Sequence, residues 1–315
     1  MTNQTPQKVR GITQVDFSPI RPKLEGLFIN IERELERKLK ENPRHRCRNQ
    51  ATLFLRVSTL SMYNCYESVL WLGFDAKEAG KPPKNALLTV PSITRTMIDN
   101  LFTVVFMCHQ GEFLSNYVWY AKSSYREAWE ELQRYKNDFS QHADYIDLFE
   151  NGLREYANGL KEHLQVTDEE LLNPTNLQYW PTLTQAINPK YTKTYTLTDP
   201  CRKFLVWLND WSYREISQIA HHSAWGVSKI GSFLLRDSLS KEMQYLIDGD
   251  AIDRFQFGHI ANAVTALLCF ATEVNHHYRL NHDEDLLLIW KHLEQVPVIQ
   301  EAWEVRYKQF LAPGT

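Results

Sequence analysis

The segment Trp211–Ser223 gathers groups that bind or transfer protons on one face of a helix. At about 100° per residue, with Tyr213 as the origin, Ser217 falls at about 40°, His221 at about 80° and Arg214 at about 100°. The opposite side, from about 240° to 340°, is apolar and holds Ile216, Ile219 and Ala220. The spacing therefore predicts a helix that is anchored by one face and carries chemistry on the other.

Arg214 and His221 have the residue types that metal-independent RNA cleavage needs. A histidine transfers protons near neutral pH, and an arginine stabilises the negative charge that develops on a phosphate. Their Cα atoms stand about 10.5 Å apart along the helix, which a long arginine side chain can span. Ser217 can hydrogen-bond His221 or a phosphate oxygen, whereas His222 falls at about 180°, away from this face.

The same residues also fit a structural role. Arginine, serine, tyrosine and histidine on one helical face can form a buried polar network that joins the helix to its neighbours. The spacing alone leaves both interpretations open.

Arg95 and Asp99 form a second pair, four residues apart on an otherwise apolar helix. A charged pair in such a setting is either a buried ion pair or the wall of a site. A pocket, if one forms, is expected between this helix and Trp211–Ser223. Burial of the pair predicts that Asp99→Ala costs about 3 kcal/mol or more, because Arg95 would lose its counter-charge.

A third pattern is a cluster of basic residues with Glu41 as the opposing charge. Such a cluster can attract a polyanion, and it predicts RNA binding by Arg44, Arg46 and Arg48. A solvated helix end and turn is the alternative interpretation. The whole cluster comprises Arg37, Lys38, Lys40, Arg44, Arg46 and Arg48.

No cofactor and no metal are predicted. Glu273-x-x-His276 matches half of a di-iron bundle motif, but the sequence contains no second Glu-x-x-His. His277 and His282 lie nearby without forming a recognisable ligand set. A Gly-rich phosphate loop and a Ser or Cys nucleophile motif are also absent from the sequence.

The polar helix carries a resemblance to a known family. Tyr213-Arg214-x-Ile216-Ser217-x-x-Ala220-His221-x-Ser223 resembles the signature of an uncharacterised bacterial all-helical family in the HEPN superfamily, in which an Arg precedes a His by a short interval on one late helix. Six residues separate Arg214 and His221 here. An Arg followed four residues later by an acid is typical of the early helices of that family, usually with Glu where this chain has Asp99. Glu215 stands where the family often has Asn, Asp or His.

The resemblance implies a fold, an activity and an assembly. HEPN domains are helical bundles, and many are metal-independent ribonucleases or RNA-cutting toxins of phage-defence systems. It implies an RNA substrate, a role in phage defence with a partner protein, and a homodimer with both motifs lining one cleft. The alternative is a non-catalytic helical module that binds a ligand or partner protein through the same polar face. The implied site comprises catalytic Arg214 and His221 with supporting Tyr213, Ser217, Arg95 and Asp99.

Apolar spacing of three and four residues predicts an all-α, multi-helix bundle. The 12 Gly and 13 Pro in 315 residues leave long uninterrupted stretches, and no strand pattern is evident. We expect a loose tail over residues 1–17 and a single domain over 18–315. The domain would contain a HEPN-like core at about 50–235, an irregular inserted loop near 166–200 that could act as a lid, and C-terminal helices at about 250–311.

Composition limits the classes of protein and the compartment. A net charge of −3 excludes a globally basic nucleic-acid binder, although a local basic site is compatible with it. Five scattered cysteines without a Cys-x-x-Cys pair indicate reduced thiols. The polar N-terminus does not resemble a signal peptide, and the apolar run Leu101–Cys108 is too short to span a membrane. We therefore expect a cytoplasmic protein without a membrane segment.

Overall fold

The computed structural model describes residues 19–41, 46–72, 86–109, 113–188, 190, 197–220 and 251–312. Within these ranges every regular element is helical and no strand occurs, so the predicted all-α multi-helix bundle is confirmed. The long helices are α1 (Arg21–Glu41), α2 (Arg46–Leu70), α3 (Ala86–Cys108), α4 (Phe113–Asp138) and α5 (Ala143–Leu164). The shorter helices that follow are α6 (Asp168–Leu172), α7 (Leu183–Ile187), α8 (Asp199–Leu208) and α9 (Arg214–Ala220). The C-terminal helices are α10 (Ala251–Tyr278), α11 (Asp283–Leu293), α12 (Pro297–Ala302) and α13 (Lys308–Leu311).

Helix α3 contains a proline. The helix begins at Ala86, so Pro91 lies inside it, beyond its first turn. A proline fixes a helical φ but removes one backbone hydrogen bond. The missing hydrogen bond falls in the second turn of α3, near the N-terminal end of the helix.

Contacts between Cα atoms divide the chain into two compact units. The first unit consists of the described residues of Met1–Arg33, Val57–Val105 and Asp199–Thr315. The second consists of those of Glu34–Arg56 and Phe106–Thr198. A single domain over residues 18–315 stays a prediction.

Helix α10 forms the centre of the first unit. Every residue from Ala263 to Val274 has 0% exposure. A helix that is apolar on all sides is stable only when neighbouring elements cover it, and α11 and α12 pack against it. Its buried threonines are hydrogen-bonded: Thr265 Oγ1 donates to the carbonyl oxygen of Ala261 at 2.6 Å, and Thr272 Oγ1 accepts from Trp290 Nε1 at 3.1 Å.

Helices α4 and α5 provide the core of the second unit. Ile146, Leu153 and Leu160 recur at seven-residue intervals and form one buried stripe along α5. The stripe packs on Tyr125 and Leu132 of α4. Fully burying one such side chain contributes about 1.5–3 kcal/mol.

The predicted inserted loop contains regular turns and is tied to α4. Capping boxes begin two of its helices, one formed by Thr167 and Glu170 and the other by Thr182 and Gln185. Arg126 donates to the carbonyl oxygen of Leu177 at 2.5 Å. The backbone N–H of Trp180 donates to Ser123 Oγ at 2.7 Å. The described part of the insertion is therefore hydrogen-bonded to α4, and a role as a lid stays a prediction.

Two five-residue π-helical segments interrupt the first unit, at Asn209–Tyr213 and Trp303–Tyr307. Helical periodicity in the sequence does not distinguish these segments from α-helix. A π turn is wider than an α turn, and such segments are rare and frequent at functional sites. The first segment ends on Tyr213, and the second contains Arg306, which binds a buried acid.

Among the described residues, one helix, Phe257–Tyr278, is long and apolar enough to cross a bilayer. Its apolar window has a mean hydropathy of 1.3, and 89% of that window is buried inside the protein. The core helix of a soluble protein passes the same test of length and composition, so this helix is weak support for a membrane span.

Candidate functional site

Arg95 lies on a helix whose neighbouring residues are buried. Met97, Ile98 and Leu101 are all 0% exposed, while the Arg95 side chain keeps 18% exposure. A guanidinium in such an apolar setting remains charged, so it must be paired and hydrogen-bonded. Its partners are found on its own helix and on α9 with the π segment before it.

The guanidinium of Arg95 joins α3 to the polar helix. Nη2 donates to the Tyr213 hydroxyl at 2.9 Å, and Nη1 donates to Ser217 Oγ. The guanidinium carbon also lies 4.7 Å from the centroid of the Tyr213 ring, within cation–π range. Tyr213 and Ser217 are four residues apart, so one arginine reaches both along the same helical face.

Asp99 completes the cluster on the side of α3. Arg95 Nε donates to Asp99 Oδ2 at 3.3 Å, and the Asp99 side chain is 47% exposed. Burial raises the pKa of the Tyr213 hydroxyl, and the charge of Asp99 raises it further while Arg95 opposes the shift. The tyrosine therefore stays protonated near neutral pH and acts as a hydrogen-bonding group. We name Arg95, Asp99, Tyr213 and Ser217 the Arg95 cluster.

The exposure of Asp99 revises the expected stability cost of removing it. We now expect Asp99→Ala to lower the free energy of unfolding by about 1 kcal/mol, because half-exposed ion pairs are weak and Arg95 keeps Tyr213 and Ser217. Urea denaturation of Asp99→Ala and of Tyr213→Phe tests this. The Tyr213→Phe variant removes one hydrogen bond of similar strength and serves as the comparison. A loss of about 3 kcal/mol or more would show that the pair behaves as the fully buried pair expected from the sequence.

The structure places the predicted catalytic residues only in part. Arg214 begins α9 and its backbone is helical, but its side chain lies outside the described residues. His221 lies outside them as well. Helix α9 is α-helical from Arg214 to Ala220, so the angle assumed between Arg214 and Ser217 holds. Tyr213, the origin of the predicted angles, ends the π segment and departs from the assumed α-helical spacing. Close approach of Arg214 and His221 stays a prediction.

Two of the three predicted RNA-binding arginines, Arg46 and Arg48, belong to the described part of the second unit. Arg44 is outside the described residues. Arg46 forms an ion pair with Glu162 at 2.6 Å, and Arg48 is exposed at the start of α2. Their role in binding RNA stays a prediction.

The rest of the basic cluster is less basic than its sequence indicated. Arg37 bonds to Glu34 at 2.8 Å and also contacts Glu41, and Lys40 bonds to Glu36 at 2.7 Å. These pairs at i±3 and i±4 neutralise much of the charge at the end of α1. Glu41 is therefore not the one opposing charge, because Glu34 and Glu36, one turn earlier, also pair with the cluster.

Sequence reasoning also missed a buried charged network. Glu273 belongs to the half-motif for a metal described above, but in the structure its carboxylate accepts hydrogen bonds from Arg306. Nε donates at 2.5 Å and Nη2 donates at 3.1 Å. His277 Nε2 lies 3.5 Å from the same carboxylate. Within the described ranges no group of three or more His, Cys, Asp or Glu has metal-binding geometry. A Glu on an apolar helix indicates that a positively charged residue pairs with it. The sequence does not show that this residue is Arg306, which is 33 residues away.

Comparison with known proteins adds no relatives. No family model matches the chain, and neither a curated protein nor a solved structure matches it. The resemblance to HEPN proteins therefore rests on the motif residues themselves.

Proposed function

We propose that this protein is an HEPN-like, metal-independent ribonuclease or RNA-binding effector that acts in phage defence. The observation that supports this most is the pair of hydrogen bonds that Arg95 donates to Tyr213 and Ser217. These bonds join α3 to α9 and to the π segment before it, and we expect helical spacing to put Arg214 and His221 on the same face. An early helix thus fixes the orientation of the late helix that carries the motif.

The proposed chemistry uses one imidazole and one guanidinium. His221 takes the proton from a ribose 2′-hydroxyl, and the oxygen attacks the adjacent phosphorus. The bond from phosphorus to the 5′ oxygen breaks, and the departing oxygen recovers a proton from the imidazolium. Arg214 binds the non-bridging phosphate oxygens, which gain negative charge in the transition state. The products are a 2′,3′-cyclic phosphate and a 5′-hydroxyl end.

In this proposal Arg95 is a positioning residue. Its guanidinium already contacts Asp99, Tyr213 and Ser217, so its donors are directed at protein groups. Arg214 is left to contact the phosphate. This division explains why the chain would carry two arginines near one polar face.

A second function, binding of a partner protein or ligand without catalysis, is supported by the burial of the Arg95 cluster. Tyr213 is 9% exposed and Arg95 18%, as expected of a network that mainly fastens α9 to α3. Both functions use the same face, and cleavage of RNA distinguishes them.

Metal-free cleavage with defined product ends tests the proposed function. Purified protein incubated with a mixed RNA pool and a chelator is expected to produce fragments with 2′,3′-cyclic phosphate and 5′-hydroxyl ends. These ends follow because the 2′-oxygen is the nucleophile. Fragments with 5′-phosphate ends would contradict the mechanism, since they require attack by water. Intact RNA in the presence of the wild-type protein would favour the binding module.

The proposed site also predicts assembly. HEPN-like nucleases place two motif helices across a two-fold axis, so we expect a C2 homodimer. Light scattering at micromolar concentration should give twice the 37.0 kDa mass of the chain. A clean monomer would contradict both the dimer and a cleft lined by two motifs.

A further inference from the structure

A cavity in the second unit brings together three helix ends. It has a volume of about 540 Å³ and is lined by the first turn of α2, the first turn of α4 and the last turn of α5. This size lies within the range of about 300–1,000 Å³ that small-molecule sites occupy. The residues that line it are Arg46, Cys47, Arg48, Leu114, Glu162, His163 and Gln165.

The electrostatics of the cavity favour an anion. The N-terminal end of a helix carries a partial positive charge, and acidic residues in the first turn usually compensate for it. Neither α2 nor α4 has an acidic residue in its first turn. Helix α2 has Arg46 and Arg48 there instead, which adds positive charge to a positive helix end. A bound anion would relieve this repulsion.

The two arginines are available to a ligand. The pair of Arg46 with Glu162 is 59% and 56% exposed, so it is weak and easily exchanged. Arg48 forms no ion pair with any other residue in the described part of the chain. Two guanidinium groups beside a single carboxylate leave the cavity wall with net positive charge.

The other side chains of the wall add little charge, and the C-terminal end of α5 adds a partial negative charge that the two helix N-termini and two arginines exceed. Burial raises the pKa of the Cys47 thiol, so it adds no negative charge near pH 7. His163 Nδ1 is buried and, within the described residues, has no hydrogen-bond partner. Leu114 offers an apolar surface and Gln165 an amide. Such a wall suits a ligand with an anionic end and a less polar body.

We propose that this cavity binds a phosphate monoester, supplied either by a free nucleotide or by the phosphorylated 5′ end of an RNA strand. A monoester carries a charge of about −1.5 to −2 at pH 7 and several acceptor oxygens, which match two arginines at a helix N-terminus. A phosphodiester within a strand carries a single charge. The site therefore distinguishes a strand end from a strand interior. It stands independently of the proposed cleavage, which assigns chemistry to residues of the first unit.

Calorimetric titration of the full chain tests the proposal, with His221→Ala as the protein background so that cleavage does not interfere. The probes are adenosine, adenosine monophosphate, and one hexaribonucleotide with a 5′-phosphate or a 5′-hydroxyl. We expect the 5′-phosphate hexamer to bind at least about tenfold more tightly than its 5′-hydroxyl form. Adenosine monophosphate binding as tightly as the hexamer identifies a nucleotide site. Tighter binding of the hexamer identifies an RNA end, and both results support a monoester site.

Matched variants locate the effect. Arg48→Gln should weaken binding of the phosphorylated probe by about tenfold or more, and Glu162→Gln should strengthen it by up to about fivefold because a competing carboxylate is removed. Arg134→Gln makes the same charge change at an exposed ion pair on α4, away from the cavity, and should alter binding by less than about twofold. Equal affinity for the two hexamers, no binding of either phosphorylated probe, or equal effects of Arg48→Gln and Arg134→Gln would overturn the proposal.

Discussion

Glu273→Ala is expected to lower the free energy of unfolding by about 3–5 kcal/mol. The carboxylate is 0% exposed and binds Arg306, whose side chain is 6% exposed, through two hydrogen bonds of 2.5 and 3.1 Å. Removing the acid leaves a charged guanidinium buried without its counter-charge. Phe204 and Phe310 lie 5.5 and 5.0 Å from the guanidinium, and aromatic rings cannot replace the ion pair.

Urea denaturation at pH 7 measures this cost, and Glu304→Ala is the matched control. Glu304 lies in the same unit, but its side chain is 54% exposed and 3.7 Å from Lys308. Its removal should change the free energy of unfolding by less than about 0.5 kcal/mol. Losses for the two variants within about 1 kcal/mol of each other would refute a buried, tightly bound Glu273.

The ion pair between Glu273 and Arg306 makes the free energy of unfolding depend on pH. Burial on its own would raise the pKa of Glu273, but attraction to Arg306, the nearby His277 and the hydrogen bonds from Arg306 outweigh it and lower the pKa from 4.5 to about 2. A carboxyl whose pKa is lowered by folding stabilises the protein above its unfolded pKa and loses that contribution as pH falls through its folded pKa. The stabilisation, roughly 3 kcal/mol, should therefore disappear between about pH 5 and pH 2.

The Arg95 cluster shows what the sequence can predict. Arg95 and Asp99 were recognisable as charges on an apolar helix, and Tyr213 and Ser217 as groups on one face of another. An unmatched charge must find partners when it is buried, which limits where the two helices meet. The structure brings the four side chains together within the first unit. The exposure of Asp99 was not predictable, because it depends on what covers the outer side of α3.

Other features depend on contacts that no local pattern encodes. Trp303–Tyr307 reads as amphipathic α-helix, but in the structure it is a π turn that includes Arg306. Glu273 gave a local metal-like motif, while its partner is determined by packing of distant helices. The cavity beside Arg46 and Arg48 likewise could not be predicted from the sequence, because it forms where the ends of three helices meet.

The second large effect concerns His221. If the polar face of α9 is catalytic, His221→Ala should slow RNA cleavage by about 100-fold or more, the range of general acid–base catalysis. No other group predicted on that face titrates near neutral pH. Arg214→Lys should also lose most activity, since lysine keeps the charge but not the two-pronged contact with a phosphate.

His222→Ala is the control for this substitution. It makes the same change one residue later, and helical spacing directs its side chain about 100° away from His221. We expect cleavage within a few-fold of the wild-type rate. Thermal denaturation of both variants separates loss of chemistry from loss of fold.

The most direct measurement is the single-turnover rate of cleavage of an end-labelled RNA, with a chelator present, by wild type, His221→Ala and His222→Ala. The account predicts cleavage by wild type and His222→Ala, and almost none by a folded His221→Ala protein. Cleavage by His221→Ala at the wild-type rate would contradict the proposed site.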